Sequence, residues 1–225
     1  MACAHMQFPQ TPQAVIFDMD GLLIDTIPIY IAAMTEAGAQ VGHPLSREYL
    51  VSLIGLLGQE LHNRLTQDFG PDFPAEAVLQ LAGERLAKTF AQGAPLKAGA
   101  AELVHHLHAL DMPLAVATSM KTAEAEHQLE LAGLRHHFVA VVGRDQVQRN
   151  KPNPDVYLEA ASRLKQAPGT CVALEDSFNG VRAAHSAECM TIMVPDMLVP
   201  TAEIEALCVG IAHDLYTVKV AFEAG

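Results

Sequence analysis

At 225 residues, with 50% hydrophobic and 18% charged side chains, the chain can bury one good core, or one core and a small appendage, and is not a disordered segment. Its formal net charge of −12, no tryptophan and only 5% aromatics argue against nucleic acid and anionic membranes as partners. No apolar run reaches membrane-spanning length, residues 1–13 lack the basic-then-apolar form of a secretion signal, and Cys3, Cys171, Cys189 and Cys208 show no C-x-x-C spacing, so a cytoplasmic protein with reduced thiols is expected.

The first element is a strand over 14–18, a short apolar run rich in β-formers. Asp18 and Asp20 stand at its carboxyl end, followed by Gly21. In an open α/β sheet, ligands bind in the crevice beyond the carboxyl ends of the strands. The two carboxylates share a face if strand geometry persists, and they repel unless a cation or proton sits between them. The pattern implies a metal, an acid/base pair, or both; a solvated Asp-Gly turn is the plainer alternative. Residues 27–96 then hold no convincing strand. They read as helices at about 28–38, 46–54, 58–68 and 75–92, broken by Gly and Pro. About seventy residues are too many for a loop, so 27–96 form a second, helical domain inserted into a core made of 1–26 and 97–225.

Beyond the insertion, strands at 113–118, 139–142, 170–175 and 190–194 alternate with helices at 99–110, 121–132, 154–165 and 178–187. Gly133 closes the second of these helices as the residue past its cap. His105, His106 and His108 follow a helical pattern and read as a solvated face rather than a zinc site. The alternation specifies an α/β fold, a Rossmann-like parallel sheet core with an inserted all-helical domain. Three of the junctions carry further polar groups. The 113–118 strand ends in the hydroxyls Thr118 and Ser119, Lys151 lies between Asn150 and Pro152, and the 170–175 strand ends in the paired acids Glu175 and Asp176.

These four segments, in this order, resemble the four motifs of the haloacid dehalogenase superfamily. The phrases Asp-Gly-Leu-Leu-Ile-Asp-Thr (20–26), Lys-Pro-Asn-Pro-Asp-Val-Tyr (151–157) and Glu-Asp-Ser-Phe-Asn-Gly-Val (175–181) are similar to its β-phosphoglucomutase-like branch, and the likeness runs from about Gln13 to about Pro200. The resemblance implies a core covered by a helical cap. It implies Asp18 as a nucleophile that takes a phosphoryl group and Asp20 as general acid and base. It implies Mg²⁺ held by the Asp18 and Asp176 carboxylates and the Asp20 main-chain carbonyl, with Glu175 acting through water or orienting the others. Thr118, the Ser119 N–H and Lys151 would bind the phosphoryl oxygens. The net negative charge slightly repels a phosphorylated substrate, so the site must supply its own positive charge.

The departures discriminate among activities. The mutases of this branch place an arginine where Gly58 stands and a histidine where Tyr30 stands. Neither residue present supplies the charge that a second phosphate needs. The expectation is therefore a phosphatase acting on a small phosphorylated metabolite, with a phosphomutase as the alternative. A catalytically idle regulatory protein is less favoured, because every motif residue is kept. A dehalogenase would not need Asp20 or Asp176. The substrate's leaving group would meet Ile27, Tyr30, Leu56, Leu57, Gln59 and His62, a mostly apolar lining. Ile27 stands where many relatives have glutamate, and Glu188 where they have glycine. Oligomeric state is not readable from the sequence; a monomer is the working expectation.

Overall fold

The computed structural model describes residues 8–56 and 58–223. Cys3 and Leu57 lie outside the described residues. Residues up to Ile24 together with those from Pro95 onward form one compact unit, and Asp25–Ala94 form another.

The first unit is built on a six-stranded parallel sheet in the order β3-β2-β1-β4-β5-β6. Its strands are β1 (Ala14–Phe17), β2 (Leu114–Ala117), β3 (Ala140–Val142), β4 (Cys171–Glu175), β5 (Met190–Met193) and β6 (Gly210–Ile211). Strands buried on both faces must be apolar throughout rather than alternating. That is the composition of AVIF and LAVA, and every residue of both strands is buried. Each fully buried Val, Ile or Leu contributes roughly 1.5–3 kcal/mol. The pairing Phe17↔Val116 on one side of β1 and Phe17↔Leu174 on the other aligns the carboxyl ends of β2, β1 and β4. The chain runs from β1 out to β3 and then returns to the other flank of β1 as β4. The direction of winding therefore reverses between β1 and β4, the place where this topology opens a crevice.

Helices α5 (Ala100–Ala109), α6 (Thr122–Leu131), α7 (Asp155–Leu164) and α8 (Phe178–Ser186) flank the sheet. They agree with the expected helices to within one residue at either end. Gly133 has φ +71, the left-handed conformation that ends α6. Glu188 also has a positive φ, +67, a region glycine enters freely and in which a side chain costs roughly 1–2 kcal/mol. The histidines of α5 are less simply solvated than expected. The rings of His105 and His108 lie 4.9 and 4.6 Å from that of His137, with His136 at 3.9 Å from the same ring.

Past β5 the structure adds α9 (Ala202–Ala206), β6 and α10 (Leu215–Glu223), none of which is expected from the sequence pattern. A two-residue strand has no periodicity to detect. In α10, Val218 and Val220 weaken helical propensity, and the start is set locally by the Asp214 carboxylate, which accepts from the Thr217 N–H at 2.7 Å.

The helical unit contains α1 (Thr26–Gln40), α2 (Arg47–Ser52), α3 (Gly58–Phe69) and α4 (Ala75–Phe90). Pro28 is tolerated because it falls in the first turn of α1, where its N–H would lack a partner anyway. Ser46 caps α2 by accepting from the Tyr49 N–H at 3.2 Å. The packing of α1 on α4 is tied at the surface by Arg85, which donates to Glu36 at 3.0 Å and Gln40 at 2.7 Å.

Candidate active site

The polar groups of the site enter from the ends of β1, β2 and β4 and from the turn before α7. The β1 strand stops at Phe17, one residue short of expectation, so Asp18 and Asp20 leave the sheet in a turn rather than on one strand face. The Asp18 N–H still donates to the Leu174 carbonyl at 2.9 Å, which anchors that residue beside β4. Gly21, at φ +85, then reverses the chain. Thr118 follows β2, and its N–H donates to the Val142 carbonyl at 3.0 Å. Its hydroxyl accepts from the Met120 N–H at 3.1 Å and lies 3.4 Å from Asp20 Oδ2. Ser119 is the next residue in the same bend.

Lys151 precedes α7 in a turn stapled by Arg149, whose guanidinium donates to Asp155 at 2.7 Å. The lysine side chain is 5% exposed and reaches inward. Its ammonium donates to Asp18 Oδ1 at 2.5 Å, to Glu175 Oε1 at 2.6 Å and to the Ala117 carbonyl at 3.0 Å. An ammonium has three protons, and all three are committed. Glu175 is fully buried at the end of β4. Its Oε2 accepts from the Asp176 and Ser177 N–H groups, each at 3.2 Å, and from the Ser177 hydroxyl at 3.1 Å. Ser177 also caps α8 by accepting from the Gly180 N–H at 3.1 Å. Gly180 is required by close approach: a Cβ there would stand 1.8 Å from Glu175 Oε1.

The structure therefore brings Asp18, Lys151, Glu175 and Asp176 into one buried cluster, with Thr118 and Asp20 at its margin. Ile27, Tyr30, Leu56 and Gln59 belong to the helical unit. Two contributors were not singled out from the sequence. Tyr157 donates its hydroxyl to Glu175 Oε1 at 2.7 Å, and the Ala117 carbonyl receives Lys151. A tyrosine on the inward face of a helix was the available signal for the first. A main-chain carbonyl leaves no signal in sequence.

Burial dominates the electrostatics. It pushes the Asp18 carboxyl up to about 8, against the pull of Lys151 and with the further push of Glu175 and Asp20. Asp176 rises well above the carboxylate range through burial and then the charges of Asp18 and Glu175. Burial acts to lower Lys151, but Asp18 and Glu175 outweigh it and hold the ammonium above its ordinary value. Burial, then Glu175, raises the Tyr157 phenol well above its usual range. One ammonium is thus surrounded by more carboxylates than it can neutralise.

Among the described residues, Asp18, Glu175 and Asp176 form the one side-chain group able to hold a metal ion, with an oxygen from each within 4.8 Å of the others. Hard oxygen donors, closely spaced and short of positive charge, fit a divalent cation. Such an ion must displace the proton that burial keeps on Asp18. Metal uptake is therefore expected to release protons, and affinity to weaken as pH falls through about 8. Calorimetry in buffers of different ionisation enthalpy reads that release. Uptake without proton release near neutral pH would show that Asp18 is already ionised in the metal-free protein.

The haloacid dehalogenase-like hydrolase family model matches residues 15–194, a span that contains the whole cluster. The chain belongs to the haloacid dehalogenase-like hydrolases. Within that family it is 30% identical over 213 residues to the phosphorylated carbohydrates phosphatase of Thermotoga maritima, covering 95% of this chain and 91% of that one. It is 32% identical over 194 residues to hexitol phosphatase B of Escherichia coli, covering 84% and 86% of the two chains. A solved structure from Thermotoga maritima, named for beta-phosphoglucomutase, superposes with a TM-score of 0.77 at 29% identity, covering 95% of this chain and 100% of its own. The haloacid dehalogenase-like core and the β-phosphoglucomutase-like branch expected from the motifs are thus both found, and the relatives' names agree with a phosphoric monoester hydrolase. No described helix is long and apolar enough to cross a membrane.

Proposed function

We propose that the protein is a Mg²⁺-dependent phosphatase that hydrolyses a small organic phosphomonoester, a sugar phosphate or similar, through a phosphoryl group carried on Asp18. The observation that carries this reading is the Lys151 ammonium shared between Asp18 and Glu175 beside Asp176, a fixed cation within a buried excess of carboxylate. The Asp18 and Asp176 carboxylates and the Asp20 carbonyl would hold the ion. Bound there, Mg²⁺ supplies the charge that lets an anionic carboxylate approach an anionic phosphoryl group.

The residues divide the chemistry. An Asp18 oxygen attacks phosphorus, and the bond from phosphorus to the leaving oxygen breaks. Asp20, less buried than Asp18, gives its proton to that oxygen and then takes one from the water that attacks the acyl phosphate. The bond from phosphorus to Asp18 breaks, and inorganic phosphate leaves. Lys151 stabilises the charge spread over the transferring oxygens, assisted by the Thr118 hydroxyl and the Ser119 N–H. The leaving group is assigned to the helical unit, through Ile27, Tyr30, Leu56 and Gln59. Gly58 has φ +52 and bears no side chain, Arg64 is held by Asp68 at 2.6 Å, and Arg85 is held by Glu36. Those features favour a substrate with one phosphate over the bisphosphate of a mutase.

A panel of phosphomonoesters, assayed with Mg²⁺ and after chelation, tests the proposal. Phosphate release is expected with Mg²⁺ and lost without it. Ca²⁺ should bind and inhibit, because its looser and higher coordination can draw both Asp18 oxygens onto the ion. Activity surviving thorough chelation would remove the metal from the mechanism. Release from no ester would return the protein to a regulatory reading.

A further inference from the structure

Tyr157 is the largest fully buried side chain of the first unit, yet its hydroxyl is not spent on the core. It donates to Glu175 Oε1 at 2.7 Å, the oxygen that also receives Lys151 at 2.6 Å. Its ring lies beneath the same ammonium, 5.0 Å from Nζ to the centroid. The other Glu175 oxygen is occupied by three donors from Asp176 and Ser177, and Gly180 closes the remaining side. Glu175 is therefore immobile, and the one adjustable quantity at its Oε1 is how the negative charge is divided between the phenol and the ammonium. Without the phenol, Lys151 is the sole donor to that oxygen, and the carboxylate draws Nζ more strongly away from Asp18.

We infer that the Tyr157 hydroxyl is a positioning group: by sharing Glu175 with Lys151 it keeps the ammonium on Asp18 and available to a phosphoryl group there. This rests on the phosphatase reading. The hydroxyl's hydrogen bond is to Glu175, and it acts through Glu175 and Lys151. The ring limits sideways movement of Nζ through its negative face.

Tyr157→Phe keeps the ring and deletes the hydroxyl. With Mg²⁺ present, the Kd for inorganic phosphate is expected to rise about tenfold and kcat to fall about tenfold, the effect of one hydrogen bond lost in a buried charged site. The Kd for Mg²⁺, measured by calorimetry without substrate, should change less than the Kd for phosphate, since the hydroxyl reaches the group able to hold the ion only through Glu175. In a Glu175→Gln background the same substitution should have little further effect on phosphate binding, because no carboxylate remains to be shared. Phosphate binding and kcat both at the wild-type level would overturn the inference, as would a Mg²⁺ Kd that rises in step with kcat, or an equal loss in both backgrounds. A Tyr157→Phe protein that does not fold would overturn it too, because the hydroxyl would then be structural. Failure of the phosphatase reading shows separately, as a wild type that releases phosphate from no ester; inorganic phosphate binding then decides the part played by the hydroxyl.

Discussion

Asp18→Asn is expected to abolish phosphate release, by a factor on the order of 10⁴ or more, while the melting temperature stays near that of the wild type. An amide oxygen cannot form the acyl phosphate, so the two-step route closes rather than slows. The fold survives for reasons visible in the site. Asparagine is nearly isosteric, and its carbonyl oxygen can still accept from Lys151, which stands 2.5 Å from Asp18 Oδ1. Its Asp18 N–H anchor to Leu174 is main chain and does not change. The substitution also removes a carboxyl that burial already holds up to about 8, so the metal-free protein loses no favourable charge across neutral pH. Trapping with a phosphate-mimicking beryllium fluoride should label the wild type at Asp18 and leave the variant unlabelled. A phosphoryl or fluoride adduct found on Asp20 or on a serine would overturn the assignment of the nucleophile.

Lys151→Met should damage both stability and activity. Replacing the ammonium leaves Asp18, Glu175 and Asp176 buried around an apolar tip, and breaking a buried pair by removing one partner costs about 3–5 kcal/mol. The deficit should depend on pH, with a definite sign. Asp18 is already raised to about 8, and losing Lys151 removes the charge that opposes the rise. The folded variant thus binds protons that the unfolded chain, with its ordinary carboxyls, releases above about 4. Where the native state binds more protons than the unfolded one, stability falls as pH rises. Because wild-type Asp18 also keeps its proton up to about 8, the two proteins differ at Asp18 only above that pH, and the variant's deficit against wild type should grow as pH rises from about 8 to about 10, as read by denaturant unfolding. A deficit that shrinks over that range would mean that Lys151 is not the counter-ion of this cluster. Turnover should fall by roughly 10²–10³, as for other groups that meet charge developing in the transition state. Thr118→Ala should cost about 1 kcal/mol, since a neutral donor is lost. The reverse ordering would place Lys151 away from the reacting oxygens.

The sheet and its flanking helices could be read from the chain because their signals are local: buried parallel strands are uniformly apolar, and Gly133 marks a helix end by its own conformational freedom. The polar residues at strand ends were legible for the same reason, each standing at a boundary between an apolar run and a turn. Tyr157 was not. Its importance depends on α7 placing a hydroxyl against a carboxylate delivered by β4, and no spacing rule carries a contact between those two elements. Nor does the sequence foretell that β1 stops before Asp18, because strand length there is decided by pairing with β2 and β4. The strand β6 and the helices α9 and α10 depend on docking against parts of the chain already folded, and their own residues are too few or too β-branched to announce them.

The three donors of Lys151 have a mechanical meaning as well. They end on the Ala117 carbonyl, on Asp18 and on Glu175, at the carboxyl ends of β2, β1 and β4. A single side chain, more than a hundred residues along the chain from Asp18, spans three adjacent strands at their carboxyl ends. Local opening of a native sheet proceeds where few cross-links must break together. At this rim, the strands cannot fray one at a time: separating any neighbour from β1 there also exposes a buried ammonium and its carboxylates. The end of the sheet that carries the proposed site is thereby made cooperative with the middle of the fold, and solvent exchange at that rim is expected to follow opening of the core.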